Sequence, residues 1–184
     1  MTDLETLPTK DRLVRVAATL FQQQGYHGTG LAEILSASNV PKGSLYHHFP
    51  KGKTDLAIAA AEWASDEMVA VIEASFENAT SFQNGLTTLF FKLAKLFEVS
   101  PIARGCPVTS MLDQGTGTSE FDTLVCEVFD RWSDTVIRSG LRLGAPEDEV
   151  RAKTERAMIL IQGAWVMARA RNSAEPIRAA ARAL

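Results

Sequence analysis

Cysteine is scarce in this chain, with Cys106 and Cys126 the only thiols in 184 residues. Two thiols build neither a disulfide framework nor a four-thiolate metal site. The first ten residues, MTDLETLPTK, carry two acids and no apolar stretch, so no secretory leader is read there. The expected compartment is the cytoplasm, with both thiols reduced. Long apolar runs are missing too. The longest nearly apolar stretch, Ala157–Ala168, includes Gln162 and falls well short of the ~20 residues that span a bilayer, so no membrane association is expected.

Catalytic signatures are absent as well. There is no G-x-S-x-G, no H-E-x-x-H and no paired-cysteine motif. Gly28-x-Gly30 is followed by Glu33 where a dinucleotide loop needs a third glycine, and Gly115-x-Gly117 lacks the lysine of a phosphate loop. His47 and His48 are adjacent and diverge around a helix, so they do not form a metal pair. No enzyme, cofactor or metal is expected. Repeats, heptad arrays and low-complexity segments are also lacking.

The chain is 46% hydrophobic and 22% charged, the balance of a soluble globular protein rather than a disordered one. Net charge is only −3, but it is unevenly spread: residues 1–53 hold six Lys or Arg against four Asp or Glu, and residues 54–184 hold thirteen against eighteen. The mild N-terminal excess has the sign that a polyanion partner requires.

The informative stretch is GTGLAEILSASNVPKGSLYHHFPKGK, residues 28–53. Thr29 is placed to N-cap a short helix with Leu31, Ile34 and Leu35 on one face. Asn39 suits a left-handed turn residue, and Pro41 fits the first position of a second helix. On that helix Leu45 and Phe49 point inward together. Gly43, Ser44, Tyr46 and His47 fall outward, flanked by Lys42, Lys51 and Lys53. A DNA duplex accounts for each choice: Gly43 permits close backbone approach, Lys42 and Ser44 reach base edges, and Tyr46, His47, Lys51 and Lys53 bond phosphates. The competing reading is an ordinary helical hairpin within a scaffold or protein-interaction module that never binds DNA.

The pattern G-Y-x-x-T, A-E-I-L and V-P-K-G-S-L-Y-H-H-F-P-K-G-K-x-D-L resembles the N-terminal domain of the TetR family of transcriptional regulators. Gly30 stands where that family usually carries a hydroxyl, which removes one phosphate contact, and Asn39-Val40-Pro41 replaces the commoner Gly-Val-Ser. The segments Gly105-Cys106-Pro107-Val108 and Lys42–Pro50 are similar to the LmrA/YxaF-like branch, which implies regulators of efflux or of small aromatic compounds. Thr29 is a further candidate DNA contact, and the resemblance implies a dimer formed by the last two long helices.

Elsewhere the pattern is helical throughout. Leu13, Val16, Ala17 and Leu20, with Phe21 beside them, predict a first helix ended by Gly25. A fourth helix runs from Lys53 to about Ala79 and a fifth from a Thr80-Ser81 cap to Ser100-Pro101. A two-turn helix is expected from Cys106 to near Gln114, with Cys106 at its N-terminus, where a redox role is conceivable but burial is the commoner reason for such a thiol. Long helices follow over 119–143 and 147–171, and a short one near 176–184. Ala157–Ala168 is apolar on all sides and must be covered on all sides, one by its own subunit and one by a second copy. Trp63, Phe90, Phe97, Met111, Phe129 and Trp132 are candidates to line an apolar cavity, with Gln162 to orient its occupant.

The expected protein is all-α, with a helix-turn-helix DNA-binding domain over residues 1–53 and a ligand-sensing and dimerisation domain over 54–184. The expected function is a homodimeric repressor that binds double-stranded DNA at a palindromic operator and is released by a small apolar or aromatic effector.

Overall fold

The computed structural model describes residues 4–99 and 119–184. Among these, all regular structure is helical. After a 3-10 turn at Leu4–Thr6, the helices are α1 (Thr9–Gly28), α2 (Leu31–Ser38), α3 (Lys42–His48), α4 (Lys53–Phe76), α5 (Phe82–Val99), α6 (Ser119–Arg142), α7 (Glu147–Arg171) and α8 (Glu175–Ala181). The helix expected from Cys106 to Gln114 lies outside the described residues, as do Met111 and Cys106. The backbone divides into two compact units, one holding residues 4–65 and 119–125, the other 66–99 and 126–184. Both α4 and α6 contribute residues to each.

In the first unit the amphipathic face of α1 closes over α2 and α3. Leu13, Ala17, Phe21, Ile34 and Leu45 are fully buried and Phe49 nearly so. Leu20, expected in this core, is only half-buried, whereas Val14 and Ala18 are buried. Gly25 breaks α1 as predicted: its φ of 75° is left-handed, which glycine adopts without steric cost, and a last helical turn follows it. Tyr26 in that turn packs its ring against Phe21 and Phe121, with centroids 5.8 and 5.3 Å apart.

In the second unit the Ser81 hydroxyl accepts the Asn84 N–H at 3.1 Å, so α5 has the N-cap its sequence promised. The rings of Phe76 and Phe82 stack at 5.8 Å. Gly85 lies directly beneath the Phe76 ring, where a Cβ would overlap it. The last helix, α8, packs on α5 and α7, and Arg178 donates to Glu98 at 2.6 Å. That hydrogen bond holds the Glu98 carboxyl below its ordinary pKa. Along α7, Ala157, Ile161, Ala164, Trp165 and Ala168 are buried. The opposite side is open: Ile159 is 66% exposed, Val166 69% and Met167 43%. An added Cβ at Gly163 would meet nothing within 4 Å. The subunit therefore covers one side only of the apolar helix. No described helix is long and apolar enough to cross a membrane.

Candidate nucleic-acid interface

The turn between α2 and α3 depends on Asn39, at φ 51° and ψ 47°. Its N–H donates to Ser36 O at 3.2 Å, and Val40 N–H to Leu35 O at 3.1 Å. These bonds satisfy carbonyls that the end of α2 would otherwise leave bare, in the manner of a left-handed C-cap. Pro41 sits one position earlier than expected, as the N-cap of α3 rather than its first residue. Its carbonyl accepts Ser44 N–H at 3.0 Å, and as a proline it contributes no side-chain cap.

Leu45 and Phe49 anchor α3 inward, and the outward face is open. Lys42, Gly43 and His47 are exposed and Ser44 half-exposed, and Tyr46 is 44% exposed. A Cβ at Gly43 would meet nothing within 4 Å, so packing within the subunit gives no reason for a glycine there. The Tyr46 ring rests on Gly52, 3.3 Å from where a Cβ would stand. The Gly52 φ of 68° gives an independent reason for that glycine. Lys42 Nζ lies 5.9 Å from the Tyr46 ring centroid. His47 meets His48 edge to face at 5.0 Å.

Two candidates are placed otherwise than expected. Thr29 does not cap α2: it is 1% exposed and its hydroxyl donates to Gly25 O at 2.9 Å. It bridges the break in α1, with no side-chain surface left for a phosphate, and Gly30 is the N-cap. Lys53 turns inward, its Nζ 4.3 Å from the Tyr26 ring centroid. Partial burial lowers its pKa from the ordinary lysine value. Lys51 remains at the surface, while its backbone N–H donates to Asp55 Oδ2 at 2.8 Å and so helps fix the start of α4. Tyr26, which belongs to the G-Y-x-x-T pattern but receives no role from the sequence, also meets Thr54 Oγ1 through its hydroxyl at 3.3 Å.

Of the effector candidates, Met111 lies outside the described residues. Phe90, Phe97 and Trp132 are buried core, and half-buried Phe129 stands edge-on to Trp132 at 5.4 Å. Trp63 is half-buried beneath Arg15, whose guanidinium lies 5.5 Å from the ring centroid. Gln162 has its Nε2 buried without a hydrogen-bond partner. Phe97 borders a pocket of about 390 Å³ beside Glu98 and Arg178. A groove of about 700 Å³ between α4 and α6 is lined by none of the predicted residues. Helical spacing marked these aromatics as inward-facing, and filling a core accounts for most of them.

Comparison with known proteins bears on both parts of the chain. Residues 13–60 match the family described as "Bacterial regulatory proteins, tetR family". Residues 83–183 match "Transcriptional regulator LmrA/YxaF-like, C-terminal domain". The HTH-type transcriptional regulator YxaF of Bacillus subtilis is 29% identical over 170 residues, 92% of this chain and 89% of that protein. The crystal structure of a TetR transcriptional regulator from Chloroflexus aurantiacus superposes with a TM-score of 0.79 at 25% identity, covering 95% of this chain and 90% of the other. The TetR family regulator CifR, in complex with a 26-base-pair operator duplex, shares the fold at a TM-score of 0.78 and 23% identity, covering 94% and 92%.

Proposed function

Because the chain belongs to the TetR family of transcriptional regulators, in its LmrA/YxaF-like branch, and is a DNA-binding regulator and not an enzyme, we propose that it is a homodimeric repressor released from a palindromic operator by a small molecule. The observation that carries this reading is the outward face of α3, with open space at Gly43 and Tyr46 held at the surface on Gly52. Residues 1–53 form the reading head and residues 54–184 the sensing and dimerising part. Lys42 and Ser44 read base edges, while Tyr46, His47 and Lys51 bond phosphates. Lys53, seated on Tyr26, steadies the junction of α1 and α4, and any phosphate contact it makes comes from that seat.

The exposed stripe Ile159, Gly163, Val166 and Met167 supports the dimer. A contiguous apolar strip on a helix is unfavourable in water, and a glycine within it lets a second helix approach closely. Two copies present two α3 helices to one duplex, whose successive major grooves repeat at about 34 Å. A ligand that favours an arrangement with a different separation shifts the population off the operator by as much as it prefers that arrangement. The protein acts where its operator is, in the cytoplasm.

Operator binding measured by fluorescence anisotropy across a salt series tests the contact assignment. Lys51→Ala should weaken binding to every duplex alike and reduce the salt slope by about one unit. An unchanged slope would remove Lys51 from the phosphate contacts.

A further inference from the structure

In the second unit two helix faces with matched spacing stand opposite each other. On α4 the row is Asp66, Ala70, Glu73 with Ala74, then Glu77 just past the helix end; on α6 it is Arg131, Thr135, Arg138 with Ser139, then Arg142. Acids line one helix and bases the other. At one end the rows touch, with Arg131 Nη1 2.5 Å from Asp66 Oδ1. Beyond that pair lies the groove of about 700 Å³.

A glutamate reaches one methylene farther than an aspartate. Among the described residues, however, Glu73, Glu77 and Arg142 make no ion pair. Arg138 turns its guanidinium to Thr135 Oγ1 on its own helix, at 3.0 Å. Past the Asp66–Arg131 contact, complementary charges line the two walls of the groove with no ion pair between them among the described residues. The Thr135 and Ser139 hydroxyls donate to their own backbone at 2.8 Å each, so the α6 wall between the arginines makes no further demand on a guest. Ala70 and Ala74 keep the opposite wall shallow and apolar.

A guest of single charge would answer one wall and leave the other solvated or repelled. We propose that this groove binds a small zwitterion, its anionic group held by Arg138 and Arg142 and its ammonium by Glu73 and Glu77, with a short alkyl spacer over Ala70 and Ala74. Paired guanidiniums one helical turn apart suit a carboxylate or phosphate, and paired carboxylates suit an ammonium. A space of this size accommodates a small organic molecule. The consequence for regulation rests on the repressor reading above: a bridging zwitterion draws together α4 and α6, and α4 begins at Lys53, directly after the reading head.

Isothermal titration of the full-length protein uses β-alanine, γ-aminobutyrate and ε-aminocaproate as probes, with caproate and hexylamine as single-charge controls. At least one zwitterion should bind saturably and about tenfold or more tighter than both controls. Arg142→Gln and Glu77→Gln should each weaken it about tenfold, the worth of one charge-assisted hydrogen bond. Their melting temperatures should match the parent's, since both side chains are exposed. Absence of saturable binding by all three probes, equal binding of the controls, or variants with parental affinity would overturn the proposal. Gel shift on the operator separates this from the repressor reading. A zwitterion that fills the groove without moving the operator affinity leaves the site standing and removes its regulatory role; operator binding with no zwitterion binding does the reverse.

Discussion

Gly43 is the residue at which folding and function make opposite demands. A methyl group there meets nothing within 4 Å, and alanine is the better helix former, so Gly43→Ala should stabilise the subunit by about 0.5 kcal/mol. Docked on a duplex, the same methyl group stands between the helix backbone and the groove. Melting temperature and operator affinity measured on one preparation should therefore move in opposite directions, the first up and the second down. If affinity is unchanged, the backbone does not approach the duplex at Gly43. Thr29 shows the reverse situation. Its hydroxyl is committed to Gly25 O, so its contribution is to the shape of the turn on which the reading head rests.

At the scale of elements, the contact at Gly85 leaves no spare volume. Gly85→Ala forces a Cβ into the Phe76 ring, an overpacking that should cost about 1–3 kcal/mol and appear as a lower midpoint in urea unfolding. An unchanged midpoint would mean that the Phe76–Phe82 stack moves aside at little cost. The elements themselves were legible from composition and spacing. Asn39 predicted the left-handed turn, Gly25 the break in α1, and Ser81 the cap of α5. The finer chemistry of the caps was less so. A threonine before a helix reads as a cap, but at Thr29 a carbonyl one turn back is the nearer acceptor; Pro41 fits an N-cap as well as a first position. Of the candidate interface, the outward face of α3 was readable because one helix carries it all. The groove between α4 and α6 was not, because Glu73 and Arg138 are brought together only by tertiary packing. Trp63 shows a second limit: helical spacing places a side chain towards the interior without telling what covers it, here the Arg15 guanidinium.

At the scale of the whole molecule, the proposed function requires two copies. The exposed stripe on α7 gives a clear test, since Val166→Asp places a charge at its centre without disturbing the buried side of the helix. Sedimentation should show the parent as a dimer and the variant as a monomer with parental helicity, and the variant's operator affinity should fall by orders of magnitude as the second reading head is lost. A dimeric variant with parental affinity would place the subunit interface elsewhere.

The most direct test of the central claim, that a symmetric pair of α3 helices reads DNA, is selection of bound sequences from a pool of random duplexes by the full-length protein. The account predicts enrichment of a palindrome whose half-sites are centred about 10 base pairs or a small multiple apart, with the half-site preference altered by Lys42→Ala or Ser44→Ala. A pool that emerges without an enriched motif, or with a single half-site and no symmetry, would contradict it.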